Sequence, residues 1–303
     1  MTYAPIALFI FNRPDHTRQT IESLKKCPEY GDSPLYIFCD GPRSSAEQLI
    51  VRQARNAARY LVENKAIFVE SDVNKGLANS IIEGVGYLCG KYGRVIVVED
   101  DLIVSQAFLT YLNAALEKYA DYEKVMQISA HMFPVQKFST KLDAFFLPFT
   151  TSWGWATWQR SWKQFDSEVI DWQSLKTDPQ VRKRFNLDGT YDYYSMLKNQ
   201  MAGKIDSWAI RWYWFVFKCD GVVLFPPRSY VNNIGFDGSG THGWRLTRLI
   251  WGKTKQPENQ LVTLVDSICV CIDDYKAVKN VLRRMNYMCI LLRIWNKLSR
   301  RVL

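Results

Sequence analysis

Three consecutive carboxylates, Glu99-Asp100-Asp101, directly follow the apolar run Val95-Ile96-Val97-Val98. The run is short, β-branched and preceded by Gly93-Arg94, so it reads as a buried strand. Carboxylates at the end of a buried strand are costly unless a cation meets them. In open α/β sheets the carboxyl ends of strands are where ligands bind. Carboxylate oxygens are hard ligands, suited to Mg²⁺ or Mn²⁺ carrying the phosphates of a substrate. The triplet therefore points to a metal-diphosphate site, with an N-capping cluster for the next helix as the structural alternative.

The elements that must position these acids alternate through the first third of the chain. Ile6–Phe11 reads as a strand. A helix opens at Pro14-Asp15 and runs to about Lys26, Pro being well tolerated in a first turn. Leu35–Cys39 is a second strand, and Ala66–Val69 a third. Between them Ser44 or Ser45, with Glu47 or Gln48 three residues on, forms a capping box for a helix to about Glu63. Lys75-Gly76-Leu77 leads into a helix to about Cys89. Val95–Val98 is the fourth strand, and Gln106–Tyr119 a fourth helix. Strands separated by helices of this length imply parallel βαβ units.

Composition bounds the rest. The chain has 303 residues, 48% of them hydrophobic, which supports a substantial core and excludes global disorder. Seven scattered cysteines without a Cys-x-x-Cys pair fit a reducing compartment better than a disulfide frame or a zinc site. The N-terminal segment has no basic region before Pro5–Phe11 and reads as a core strand, not a signal peptide. No apolar run approaches the roughly eighteen residues of a spanning helix. The net charge is +9, but no acid follows Asp274, and the tail after it carries eight basic residues. The body is therefore close to neutral and needs no nucleic-acid partner.

The middle of the chain is crowded with aromatics, from Phe145 to Trp172 and again from Trp208 to Phe217. Most belong in a core. Trp153, Trp155 and Trp208 are the candidates for a platform on which sugar rings stack. The tail repeats Val278, Val281, Leu282, Met285, Met288, Leu292 and Trp295 at helical spacing, with basic residues beside the stripe. Two readings stay open: a terminal helix docked on the protein, or an amphipathic helix lying on an anionic membrane.

Phe11-Asn12-Arg13-Pro14 after the first strand, Asp40 after the second, Asn74-Lys75-Gly76-Leu77-Ala78-Asn79 before the third helix and Glu99-Asp100-Asp101 after the fourth strand together resemble the GT-A glycosyltransferases. The likeness is to the bacterial family-2-like enzymes and the N-acetylglucosaminyltransferase I type, and it covers about residues 5–245. It implies a Rossmann-like α/β fold with a mostly parallel sheet flanked by helices and an aromatic-rich acceptor region, followed by the basic amphipathic C-terminal helix. Residues 1–125 would form the nucleotide-sugar half and 126–262 the acceptor and catalytic half of one domain, with 263–303 as the tail.

The resemblance also implies roles. Phe11, Asn12 and Arg13 would lie against the nucleotide. Asp40 would accept a hydrogen bond from the base, uracil by preference, unless it is only a turn residue before Gly41-Pro42. Lys75 and Gly76 would meet the diphosphate sugar at a helix N-terminus, and Glu99 and Asp100 would face ribose or sugar. Asp101 would bind Mn²⁺ or Mg²⁺, joined by His242 from a loop able to close over the diphosphate. His16 and His131 have weaker claims. Asp206 would be the base that deprotonates the acceptor hydroxyl, unless it caps the helix that follows, with Asp188 and Asp192 as fallbacks. Trp208 and Arg211 would help build the acceptor pocket.

The activity implied is metal-dependent transfer of a hexosyl or N-acetylhexosaminyl group from a UDP-sugar, with inversion. The acceptor would be a hydroxyl of a glycan or lipid-linked acceptor in bacterial polysaccharide or lipopolysaccharide synthesis. The place would be the cytoplasm, with the tail as a peripheral contact to the inner face of the membrane. A retaining transferase and a non-catalytic carbohydrate-binding or scaffold protein are the rivals. A sugar-nucleotide pyrophosphorylase is disfavoured, because Ile6–Pro14 holds no glycine.

Overall fold

The computed structural model describes residues 2–63, 65–139, 143–237 and 259–299, the last helix with side chains to Met288. Strand β1 (Ile6–Ile10) alternates its side chains between two cores. Ile6, Leu8 and Ile10 face one and Ala7 and Phe9 the other, so the strand is buried on both sides. Helix α1 (Pro14–Leu24) follows with Pro14 in its first turn, then β2 (Leu35–Cys39), α2 (Gln48–Val62), β3 (Ala66–Glu70), α3 (Leu77–Tyr92) and β4 (Arg94–Glu99). Helix α3 is bounded by two glycines at positive φ, Gly76 before it and Gly93 at its C-cap. Its Ala78, Ile81, Val85 and Leu88 pack in the core that holds Phe9 and Phe38.

The remaining elements are β5 (Leu102–Val104), α4 (Phe108–Lys118), β6 (Val125–Ser129), β7 (Phe145–Leu147), β8 (Trp155–Trp158), β9 (Val222–Phe225) and β10 (Val231–Asn233). Eight strands form one sheet in the order β3-β2-β1-β4-β8-β6-β9-β7. Strands β3, β2, β1 and β4 are parallel, β8 runs antiparallel between β4 and β6, and β6 pairs in parallel with β9. The expected mixed α/β architecture, with a large mostly parallel sheet flanked by helices, is therefore present. A second ribbon pairs β5 with β10 and sets Asn233 opposite Leu102, one residue beyond the acid triplet.

Two local expectations are corrected. The helix after β2 has no Ser44 or Ser45 capping box. A 3₁₀ turn, Ser45–Glu47, precedes α2, and the Glu47 carboxylate accepts the Arg43 N–H and pairs with its guanidinium. At the helix Trp208–Lys218 the cap is Ser207, whose hydroxyl accepts the Ile210 N–H at 3.4 Å, and not Asp206.

The C-terminal helix (Ile272–Ser299) resolves the first part of the tail. Val278, Leu282 and Met285 are buried in the aromatic core, Lys279 pairs with Asp188 at 2.6 Å, and buried Asp274 accepts from the Ser139 N–H and hydroxyl. Up to Met285 the stripe docks on the protein. Among the described residues no helix is long and apolar enough to cross a membrane, and the cysteines are unpaired.

Candidate active site

Parallel pairing of β1 with β4 sets Phe9 beside Glu99 and brings the Phe11–Arg13 loop onto the acid triplet. The Phe11 N–H donates to Asp100 at 3.2 Å, and the Thr20 hydroxyl of α1 donates to the Asp100 carbonyl at 2.8 Å. The Arg13 guanidinium lies 2.9 Å from Asp101 Oδ2 and 3.9 Å from Asp100 Oδ1. Burial raises the Glu99 carboxyl well above the usual carboxylate range, the charges of Asp101 and Asp100 add to it, and Arg13 opposes. Burial, then Asp101, pushes Asp100 up to about 7, against Arg13 and the Phe11 N–H.

The Arg13 guanidinium faces two of the three carboxyls, Asp100 and Asp101, so full ionisation of the triplet would leave it two positive charges short. Hard oxygen donors with that deficit fit a divalent cation. Among the described residues no three His, Cys, Asp or Glu side chains gather closely enough to hold a metal by themselves. An ion held by Asp101 would need further donors, and diphosphate oxygens are of the right kind.

The turn after β10 lies directly on this cluster. The Ile234 N–H donates to the Asp101 carbonyl at 2.8 Å, and the Asn233 amide is 3.5 Å from Asp101 Oδ1. A Cβ on Gly235 would collide with Asp101 Oδ2 and stand 3.2 Å from Arg13, so glycine is required for the close approach. His242 lies outside the described residues; the described chain breaks off at Asp237, whose carboxylate is 3.3 Å from His16 Nε2. Asn233 and Gly235 were not singled out from the sequence. Their signal is Asn-Asn-x-Gly at the end of a strand, which gains meaning only from the pairing of β10 with β5.

Asp40 is buried at the end of β2 and accepts four hydrogen bonds: from the N–H groups of Gly41, Lys75 and Gly76 and from the Asn74 amide, at 2.8–3.0 Å. Its carboxylate thus ties the β3–α3 loop to the rim of the sheet. The Lys75 ammonium pairs with Glu83. A cavity of about 340 Å³ opens beside this loop, lined by Phe38, Asp40, Val69, Ser71, Lys75 and Tyr87. Arg43 stacks over Phe11, 5.1 Å from the ring centre, and the Asn12 amide approaches Glu47 at 3.4 Å.

Asp206 comes to this rim from the other half of the chain. Its Oδ2 is 3.0 Å from where a Cβ on Gly76 would stand, Oδ1 is 3.5 Å from Arg211, and its side chain is 55% exposed. The fallback acids are occupied otherwise. Asp188 pairs with Lys279, and Asp192 caps the helix Tyr193–Met201 through the Ser195 N–H.

The aromatic candidates separate. Trp155 is 0% and Trp208 3% exposed, and the two indoles stack 4.8 Å apart. Neither offers a ring face to a sugar, so the expectation of an acceptor platform at these positions is corrected: they are core, as their size favours. Trp153 is half-buried, 4.4 Å from the His131 ring and 5.6 Å from Phe236, next to the turn over Asp101. His131 is buried, and desolvation lowers it to about 3.

No family model and no curated protein matches this sequence. The solved structures that resemble it include a mannosyltransferase and a xylosyltransferase. A mannosyltransferase from Pyrobaculum calidifontis, solved with GDP-Man and Mn²⁺, is 11% identical with a TM-score of 0.41, over 72% of this chain and 74% of that one. Mouse xyloside xylosyltransferase 1 is 10% identical with a TM-score of 0.36, over 72% and 82%. An active-site mutant of LgtC is 9% identical with a TM-score of 0.39, over 93% and 95%. At these values the likeness carries no argument about donor, acceptor or reaction, which rest on the residues of the rim.

Proposed function

We propose that this chain is a metal-dependent, inverting glycosyltransferase. It moves a hexosyl or N-acetylhexosaminyl group from a nucleoside diphosphate sugar, UDP by preference, to a hydroxyl of a glycan or lipid-linked acceptor. The observation that carries this reading is the meeting of Asp206 with Gly76, which sets an exposed carboxylate against the loop that Asp40 holds, on the rim that ends in the acid triplet. A binding module has no need of an exposed carboxylate set against that loop.

Asp101 would hold the divalent ion, with His242 as a second candidate ligand. When bound, the ion would supply Lewis-acid stabilisation of the departing diphosphate. The cavity beside Asp40 would take the nucleoside, with the fixed Lys75-Gly76 backbone facing its phosphates. Asp206, 3.5 Å from Arg211, would accept the acceptor's hydroxyl proton as that oxygen bonds to the anomeric carbon and the anomeric carbon–diphosphate bond breaks. Trp153 would border the acceptor. The exposed basic face of the C-terminal helix, with Lys276, Arg283 and Arg284, supports peripheral contact with an anionic membrane from the cytoplasmic side, consistent with a role in surface-polysaccharide assembly.

Incubation with UDP-sugars, Mn²⁺ and simple glycoside acceptors tests this. Transfer should invert the anomeric configuration, read by NMR of the product's anomeric proton, and Asp206→Asn should lower kcat by about 10² or more. A retained configuration, or near-full activity in that variant, would overturn the assignment of the base.

A further inference from the structure

The acid cluster already contains a cation. Arg13 lies 2.9 Å from Asp101 Oδ2, the same oxygen that the Gly235 backbone crowds. Guanidinium and carboxylate are both largely shielded, at 18% and 16% exposure. The other Asp101 oxygen faces the Asn233 amide. A divalent ion bound to this carboxylate would share its oxygens with the guanidinium, and two cations on one carboxylate repel strongly where water is scarce.

We propose that Arg13 is an exchangeable counter-ion that competes with the divalent metal for Asp101. The proposal rests on the metal-dependent reading above and adds an order to it. Without nucleotide, Arg13 fills the cluster and holds metal affinity down. When a nucleoside diphosphate arrives with the metal, Arg13 leaves Asp101 and pairs with the diphosphate, whose charge it suits. Asp101 Oδ2 would then be free to hold the metal. Arg13 stands between Asn12 and the first residue of α1, at the N-cap, and its side chain makes no capping hydrogen bond to the helix, so its release from Asp101 would break no cap. Metal and nucleotide binding become mutually dependent because each removes the obstacle to the other. The device also explains how three clustered carboxyls persist in the metal-free protein. One full positive charge is already in place, 2.9 Å from Asp101 and 3.9 Å from Asp100.

The test titrates MnCl₂ into the full chain and follows free Mn²⁺ by its EPR signal, without UDP and then with it. Without UDP, Arg13→Gln should bind Mn²⁺ at least tenfold more tightly than the unaltered protein, and Arg13→Lys should stay close to the unaltered value. With UDP present, the unaltered protein should gain Mn²⁺ affinity by tenfold or more. Arg13→Gln should gain much less and should bind Mn²⁺-UDP more weakly. Circular dichroism confirms that the variants are folded. Equal or weaker Mn²⁺ binding by folded Arg13→Gln without UDP overturns the exchange, while the metal-dependent reading stands if UDP still brings Mn²⁺ to the unaltered protein. No Mn²⁺ binding by either protein, with or without UDP, overturns both.

Discussion

Asp40 and Asp101 are both carboxylates at the ends of parallel strands, and their surroundings give them opposite tasks. Four donors saturate Asp40, so it fixes the loop Asn74–Gly76. Asp40→Asn keeps one acceptor oxygen and places an amide against backbone N–H groups. It should cost about 1–3 kcal/mol of stability by urea unfolding and weaken nucleotide binding; unchanged values for both would show that the loop does not depend on the carboxylate. Asp101 contacts one guanidinium and one amide and keeps capacity for a cation. The place of Asp101 just past β4 was legible in the sequence because acids clustered at the end of an apolar strand stand out. The task of Asp40 was not, because its partners lie on a loop that only the fold brings back to β2. The same holds for Trp155 and Trp208. Residue type alone does not separate a buried indole from an open one, and only their mutual stacking does.

At the level of elements, the βα units of the first third followed from period and punctuation, with ends within a few residues of those expected. Strands β7, β8 and β9 were not readable. Each is three or four residues long, too short for a period to show, and β7 and β9 are apolar throughout. The connections near the site depend on glycine. Gly76 has φ +79, and a Cβ there would stand 3.0 Å from Asp206 Oδ2, so Gly76→Ala should strain the turn and displace the candidate base. We expect kcat to fall about tenfold or more with a stability loss near 1 kcal/mol, and a normal kcat would mean that this contact is dispensable. At the end of β6, His131 gives a pH signature. Its folded pKa of about 3 lies below the unfolded value near 6.5, so the unfolded chain takes up the proton first. The neutral ring's contribution is complete above about pH 7 and is lost as pH falls from about 6.5 toward 3. Between pH 7 and pH 5 the protein should lose about 2 kcal/mol through this residue, and folded His131→Gln should show a correspondingly flatter profile in denaturant midpoints.

At the level of the whole molecule, one eight-stranded sheet takes strands from both halves of the chain, and the helix after Asp206 leads into its strand β9. The C-terminal helix completes the core on one face, which the sequence left open because an apolar stripe suits a membrane or a protein equally. Leu282 is 2% exposed within that core, and Leu282→Ala should cost about 2–5 kcal/mol by urea unfolding. A loss under about 0.5 kcal/mol would mean that the helix is not docked in solution. Isothermal titration of UDP into the full chain, with Mn²⁺ and with a chelator, reaches the central claim most directly. The acid rim should bind UDP at least tenfold more tightly with Mn²⁺, and folded Asp101→Asn should lose that difference. Equal UDP affinity with and without metal, or an unaltered metal effect in Asp101→Asn, would contradict it.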